Sequence, residues 1–166
     1  MTPRAKLGAA MTKRLVPELQ SRGFNGPAAI AGSALLFEYK RPAEEGRQVL
    51  RIQLEKRGLP RFAVGFYVEP PEGMERIVAI GGVIISGTLK PRPGPSTTSW
   101  FRTDRSWWER LILRRPPASE SEVVEACAAM LEEVDAWWVT KRPSAHIQTW
   151  PTTFPGIDKS MRRSRS

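Results

Sequence analysis

Three runs of alternating side chains constrain the fold of this chain more than any other feature. Apolar residues occupy every second position within residues 35–40, 50–55 and 62–69. A period of two is typical of strands that bury one face. The runs are separated by R-P-A-E-E-G and R-G-L-P, which are short turn sequences. Short separators favour antiparallel hairpins, so we predict three consecutive strands in a meander.

A first helix is predicted over residues 3–22. Thr2 can cap it, and Pro3 suits the first helical position. Apolar side chains recur every four residues and form one stripe: Leu7, Met11, Leu15 and Leu19. Pro17 lies inside the same segment and lacks a backbone donor, so we expect it to kink or split the helix near Lys13.

A last helix is predicted to begin at Ser119, which forms a capping box with Glu122. The helix should run to about Val139, because apolar residues follow at helical spacing: Val123, Cys127, Met130, Val134 and Trp137. This stripe can be buried within the chain or across a dimer.

The order of helix, strands and helix predicts an α+β fold. We expect an antiparallel sheet in meander order, with the N-terminal and C-terminal helices packed on one face. Residues 76–89 add either a fourth strand with a bulge at Gly81 and Gly82 or two short strands around these glycines. The predicted domain spans residues 1–140, and residues 141–166 form a Pro-containing, basic, flexible tail.

Residue counts exclude several classes of site. The chain has one cysteine, Cys127, and one histidine, His146, so it can form neither an internal disulfide nor a Cys-based or two-His metal site. Cys127 belongs to an apolar stripe, and His146 has no carboxylate neighbour in the sequence. The Gly82–Thr88 segment lacks the lysine of a phosphate loop. We therefore predict no enzyme activity, no cofactor and no metal.

The sequence also gives an expectation for location. Its longest apolar run, Ile77–Ile85, is interrupted by two glycines and is much shorter than a membrane span. A single thiol suits a reducing compartment. We therefore expect a cytoplasmic protein that does not enter a membrane.

Charge is unevenly distributed along the chain. The chain carries 26 Lys and Arg against 17 Asp and Glu, a net charge of +9. Residues 119–140 hold six acidic side chains and no basic one, whereas residues 141–166 hold six basic and one acidic. Basic regions permit binding to a polyanion, but charged runs are more often solvated surface.

Tryptophan and arginine are concentrated in residues 99–113, for which we predict a short strand followed by a turn at Asp104. Asp104 is expected to be a turn residue or an arginine partner. Interleaved Trp and Arg suit partner-binding hot spots and the stacking of unpaired bases. The alternative is structural packing of guanidinium groups on indole rings. The predicted partner-binding residues are Trp100, Arg102, Arg105, Trp107, Trp108 and Arg110. They follow a Pro-rich loop at residues 90–99.

These segments together resemble the bacterial family known as domain of unknown function 4304. The resemblance rests on L-x-x-R-G-F at Leu19–Phe24, R-I-Q at Arg51–Gln53, R-F-A-V-G-F at Arg61–Phe66 and the W-F-R…WW segment. It covers about residues 8–140 and departs from the family pattern at Gly65, where the family tends to have Asn. The resemblance implies a compact α+β domain in a bacterium, with no enzyme activity.

Three non-enzymatic functions and one enzymatic function remain open from the sequence. We expect a non-enzymatic interaction protein that binds a macromolecular partner, an unknown protein, through the Trp/Arg segment. The first alternative is a nucleic-acid-binding protein that uses basic and aromatic residues. The second is a toxin-neutralising immunity protein, by analogy with other small bacterial families of similar architecture. A cofactor-free hydrolase would need carboxylates that only the fold could bring together.

Overall fold

The fold is an antiparallel sheet with three of the four described helices packed on one of its faces. The computed structural model describes residues 1–29, 35–93, 99–104 and 118–154. The helices are α1 (Pro3–Ser21), α2 (Met74–Ile80), α3 (Glu120–Ala129) and α4 (Leu131–Thr140). The strands are β1 (Asn25–Ala29), β2 (Leu36–Ala43), β3 (Gly46–Leu54), β4 (Arg61–Glu69), β5 (Val83–Leu89), β6 (Trp100–Arg102) and β7 (Ile147–Thr153).

The strands follow chain order across the sheet. The order is β1-β2-β3-β4-β5-β7, and every pair is antiparallel. The first part of β4 pairs with β6, whereas its second part pairs with β5, so the two short partners share one edge of β4. The predicted three-strand meander is confirmed as β2, β3 and β4. β1 was not predicted from the sequence.

The core lies between the sheet and helices α1, α3 and α4. Alternate residues of the central strands point into it, including Ile52, Val64 and Phe66, all nearly inaccessible. Phe66 packs edge-to-face on both tryptophans of α4, with ring centroids 4.8 Å from Trp137 and 5.5 Å from Trp138. The predicted α+β class, with terminal helices on one face, is confirmed.

Helix α1 continues through Pro17 instead of splitting there. Its four predicted stripe residues are all buried, including Leu15 and Leu19 on either side of the proline. Burying one leucine side chain stabilises by roughly 1.5–3 kcal/mol. Two such residues offset the roughly 3 kcal/mol that an internal proline costs.

The prediction that residues 76–89 begin with a strand was wrong. Residues 74–80 form helix α2, and the strand begins only at Val83. Gly81 takes a left-handed conformation, with φ 73°, and ends the helix. Glycine adopts this conformation without steric cost, which makes it a common helix stop. The Gly-Gly pair is therefore a helix terminator and not a strand bulge.

The predicted last helix is divided into two at Met130. The capping box at Ser119 and Glu122 is present. The apolar stripe continues across the break, because Cys127, Leu131 and Val134 are all buried. The stripe packs within this chain, against α1 and the sheet.

Strand β7 corrects the predicted end of the domain. Residues 147–153 were assigned to a flexible tail, yet they pair along the whole of β5, with Ile147 opposite Leu89. The domain boundary at residue 140 was therefore placed too early. Pro143 and Pro151 obscured the strand in the sequence. Pro151 is tolerated because β7 lies at the end of the strand order, where one edge needs no donors.

Candidate functional site

The two faces of the sheet have different characters. We call the side packed against α1, α3 and α4 the helix face, and the opposite side the groove face. Side chains alternate between the faces, so Arg51 and Tyr67 lie on the groove face while their neighbours Ile52 and Phe66 enter the core. Gly65 lies in the middle of the groove face, between Arg51 on β3 and Thr88 on β5.

The absence of a side chain at Gly65 leaves a depression, which we call the groove. It consists of two adjoining cavities of about 350 and 430 Å³, which share Arg51, Gly65, Thr88 and Trp150. The smaller cavity is also lined by Trp100 and Gln53, and the larger by Tyr67. These volumes are in the range of ligand-binding clefts.

Arg51 is the best-positioned cation of the groove. Its Nε donates a hydrogen bond of 2.6 Å to Glu38, and its guanidinium lies over the Tyr67 ring, 4.7 Å from the centroid. Among the described residues, its two terminal nitrogens have no hydrogen-bond partner, and its side chain is 43% exposed. Arg51 is thus fixed at one nitrogen while four N–H donors remain available to a ligand.

The groups that hold Arg51 are locked in their charge states. Burial alone would raise the pKa of Glu38, but the Arg51 hydrogen bond and the charges of Arg51 and Lys40 outweigh it, so this pKa lies below its ordinary value. Burial raises the pKa of Tyr67 to about 12. At neutral pH the tyrosine is therefore neutral and the carboxylate ionised, which keeps Arg51 in place.

Basic residues outnumber acidic ones on this face. Glu69 pairs with Lys40 at 3.3 Å and with Arg47 at 3.1 Å. Across the described part of the groove face, strands β2, β3, β4 and β6 place two acidic residues, Glu38 and Glu69, against five basic ones: Lys40, Arg47, Arg51, Arg61 and Arg102. Asp104, which directly follows β6, pairs with Arg61 and neutralises one of these cations, so the salt bridges leave an excess of two basic residues on this part of the groove face.

Part of the predicted Trp/Arg site reaches the groove. Trp100 and Arg102 lie on β6 on the groove face, since the intervening Phe101 is buried in the core. Trp100 lines the groove, and Arg102 is opposite Arg61. The other four predicted residues, Arg105, Trp107, Trp108 and Arg110, lie outside the described residues.

Asp104 is an arginine partner, one of its two predicted roles. Its two carboxylate oxygens share the Nε–H of Arg61, at 2.8 and 2.9 Å, and Oδ2 also accepts a hydrogen bond from a terminal nitrogen of Arg61. The hydrogen bonds from Arg61 lower the pKa of Asp104, and the charge of Arg102 also contributes. This ion pair fixes the end of β6 beside β4 and so helps to position Trp100.

Two groove residues were missed in the sequence. Arg51 belongs to a strand pattern and to the R-I-Q motif but is not among the predicted binding residues, although alternation already places it opposite the core. Trp150 lay in the segment assigned to the tail. The structure puts it on β7 opposite Ser86, 38% exposed, on the wall shared by both cavities. Its alternation with Ile147 and Thr149 was the available signal, and Pro151 obscured it.

The single cysteine and single histidine lie away from the groove lining. Cys127 is fully buried, and burial raises the pKa of its thiol far above the ordinary value. His146 does have a carboxylate partner, contrary to expectation, because the fold brings its Nδ1 within 2.5 Å of Glu133 on α4. Glu133 also accepts a hydrogen bond from the Ser144 hydroxyl, so this cluster ties the segment before β7 to α4.

Comparisons with known proteins leave the family open. No family model matches the chain, and neither the curated proteins nor the solved structures give a match. The resemblance to domain of unknown function 4304 therefore stays a prediction. Among the described helices, none has the length and apolar character to cross a membrane. The described residues also contain no cluster of three or more His, Cys, Asp or Glu suited to a metal ion.

Proposed function

We propose that this protein is a non-enzymatic binding protein and that the groove is where it holds a macromolecular partner. One observation carries the proposal: two indole rings and a fixed, partly unsatisfied guanidinium line the same depression. Trp and Arg are among the residues most enriched in binding hot spots. Trp100, Trp150 and Arg51 are therefore the proposed contact residues.

The chemistry of the lining favours binding over catalysis. The described residues that line the two cavities supply amide, hydroxyl, aromatic and guanidinium groups, and no carboxylate, imidazole or thiol. General acid–base catalysis needs a group that exchanges protons near neutral pH. Tyr67 does not serve, because its pKa is raised to about 12. Glu38 lies beneath Arg51 and is already bonded to it.

The extent of the groove favours a large partner over a small molecule. Its lining comes from every strand between β2 and β7, from Leu36 at one side to Trp150 at the other. Four steps between neighbouring strands correspond to roughly 19 Å across the sheet. A surface of this breadth suits an extended chain or a protein segment.

Trp100→Ala tests this proposal in a capture experiment. Tagged full-length protein is cross-linked in a bacterial lysate, and each recovered protein and nucleic acid is quantified for the wild type and the variant. We expect at least one species to fall by about tenfold or more in the variant, the loss typical of a hot-spot tryptophan.

Val139→Ala is the matched control for a surface apolar truncation. Val139 is 85% exposed on α4, in the helix layer on the opposite side of the sheet. Its capture profile should equal that of the wild type, and circular dichroism should show that both variants are folded. The proposal is wrong if no recovered species responds to Trp100→Ala.

A further inference from the structure

We infer that the ligand of the groove is single-stranded nucleic acid, with bases stacked on Trp100 and Trp150 and a backbone phosphate bound by Arg51. This inference rests on the proposed function and assigns its partner. Three features of the groove lead to it: the state of Arg51, the position of the two indoles and the distribution of charge.

Arg51 has the geometry of a prearranged phosphate ligand. Glu38 holds its Nε at 2.6 Å, and the Tyr67 ring supports its flat side. The terminal nitrogens, which have no partner among the described residues, can donate in parallel to two oxygens of one anionic group. Because the side chain is already ordered, binding loses little conformational entropy at this position.

The two tryptophans lie beyond opposite ends of the Arg51–Gly65 row along the strand direction, and both are on the β5 side of Gly65, whereas Arg51 is on its β3 side. Trp100 pairs with Ala63, which is two residues before Gly65 on β4. Trp150 pairs with Ser86 on β5, in the row of Tyr67, which is two residues after Gly65. The two tryptophans are therefore displaced in opposite directions along the strands. Strand spacing puts their Cα atoms on the order of 14 Å apart. Two bases of one extended strand can therefore stack on the two indoles while a phosphate between them reaches Arg51.

Charge on the molecule complements such a chain. The groove face has an excess of basic residues, whereas α3 and α4, within residues 119–140, carry six acidic side chains and no basic one. A polyanion is attracted to the first surface and repelled by these two helices. An acidic protein would satisfy the charges but would offer no regular series of flat rings for the indoles.

The same features select single strands over duplexes. In a duplex the flat faces of the bases are covered by their neighbours, and only the base edges are accessible. Stacking on Trp100 and Trp150 requires unstacked bases, which a single strand supplies.

A fluorescence anisotropy titration tests the inference directly. The probes are a fluorescein-labelled 12-nucleotide DNA of mixed sequence, the RNA of the same sequence and the corresponding duplex DNA, with heparin as a base-free polyanionic competitor. We expect both single strands to bind at least about tenfold more tightly than the duplex. Binding should weaken as the salt concentration rises. Arg51→Ala should reduce the magnitude of the slope of log association constant against log salt concentration by about 0.7, because one phosphate contact is lost.

Matched variants separate stacking and phosphate binding from general charge. Trp150→Leu should weaken single-strand binding about tenfold, whereas Trp150→Phe, which retains a flat ring, should lose much less. Arg51→Ala should weaken binding by a similar factor. Arg14→Ala removes an equal charge from the helix layer, where Arg14 pairs with Glu125, and should have little effect.

The outcomes distinguish this inference from the proposed function. If no single strand binds at low salt, or if Trp150→Leu and Trp150→Phe behave alike, the nucleic-acid inference is wrong. If nuclease treatment leaves intact a captured protein whose recovery depends on Trp100, the proposed function stands with a protein partner and the inference falls. If deletion of residues 156–166 abolishes single-strand binding while Arg51→Ala does not affect it, the basic C-terminal segment binds the strand and the inference is again wrong.

Discussion

The two faces of strand β4 show how one sequence serves two purposes. Phe62, Val64 and Phe66 face the helices and are nearly inaccessible. Ala63, Gly65 and Tyr67 alternate with them and line the groove. The helix face fills its space, whereas the groove face leaves space around a central glycine. On the helix face a glycine is present because there is no room for a side chain, whereas on the groove face a glycine borders open space. Gly87 on the helix face and Gly65 on the groove face allow us to test this difference.

Gly87→Ala should have the largest effect, because it places a methyl group on the filled face. A Cβ at this position would lie 2.1 Å from Cε2 of Phe66. Phe66 is held between Trp137 and Trp138 and cannot move aside easily. We expect a loss of about 3 kcal/mol in the free energy of unfolding, measured by urea denaturation.

Gly65→Ala is the control for that experiment on the groove face. Its Cβ would meet only the Gly87 carbonyl oxygen at 3.8 Å and the Thr88 hydroxyl at 4.0 Å, which are ordinary contacts. Stability should change by at most about 0.5 kcal/mol. Equal losses for the two alanines would contradict the proposed difference between the faces.

A smaller effect separates the two tryptophans of α4. Trp137 Nε1 donates a 2.8 Å hydrogen bond to the Thr149 hydroxyl, whereas Trp138 Nε1 is buried with no partner among the described residues. Both Trp→Phe changes remove similar volume. We expect Trp137→Phe to destabilise by about 1 kcal/mol more than Trp138→Phe in urea denaturation, because only the former breaks a hydrogen bond. A larger loss for Trp138→Phe would contradict this assignment.

The smallest effect concerns acid stability on the groove face. Burial alone raises the pKa of Glu38, but the Arg51 hydrogen bond and nearby positive charges reverse this, so the folded pKa lies below its ordinary 4.5. A carboxylate whose pKa is lower in the folded state than in the unfolded state stabilises the fold at pH values above its unfolded-state pKa. This stabilisation is lost as the pH falls through its folded-state pKa.

Urea denaturation of the wild type and Glu38→Gln at several pH values between 7 and 3 measures this contribution. The wild type should be more stable at pH 7, by at most about 1 kcal/mol, and the difference should shrink as the pH falls below the ordinary glutamate pKa of 4.5. A difference that grows on acidification would contradict the pKa direction.

The fold was predictable from the sequence where local patterns are strong. Alternation in β2, β3 and β4 and the four-residue stripe of α1 gave the meander, the first helix and the α+β class. Proline and glycine caused the errors. Pro17 interrupts no helix because Leu15 and Leu19 are buried beside it, and Pro151 lies in a strand because that strand is at the edge of the sheet.

The candidate site was only partly predictable. Trp100 and Arg102 were selected because Trp and Arg are concentrated there, and both lie on the groove face. Arg51 and Trp150 have no such local signal. They are 99 positions apart in the chain, and only the pairing of β5 with both β4 and β7 brings them to one groove.

The sequence by itself determined the core side chains of α1, of β2 to β4 and of the late helical segment, because apolar periodicity is a local property of each strand and helix; it did not reveal Ile147, which is also buried in the core. It also determined that the chain is basic and that its late helical segment is acidic. The tertiary structure alone decided which outward residues are neighbours. Most outward positions carry polar, charged or small side chains, so apolar periodicity does not show which of them are neighbours. The groove around Arg51, Trp100 and Trp150 arises from strand order and register, which depend on the whole sheet.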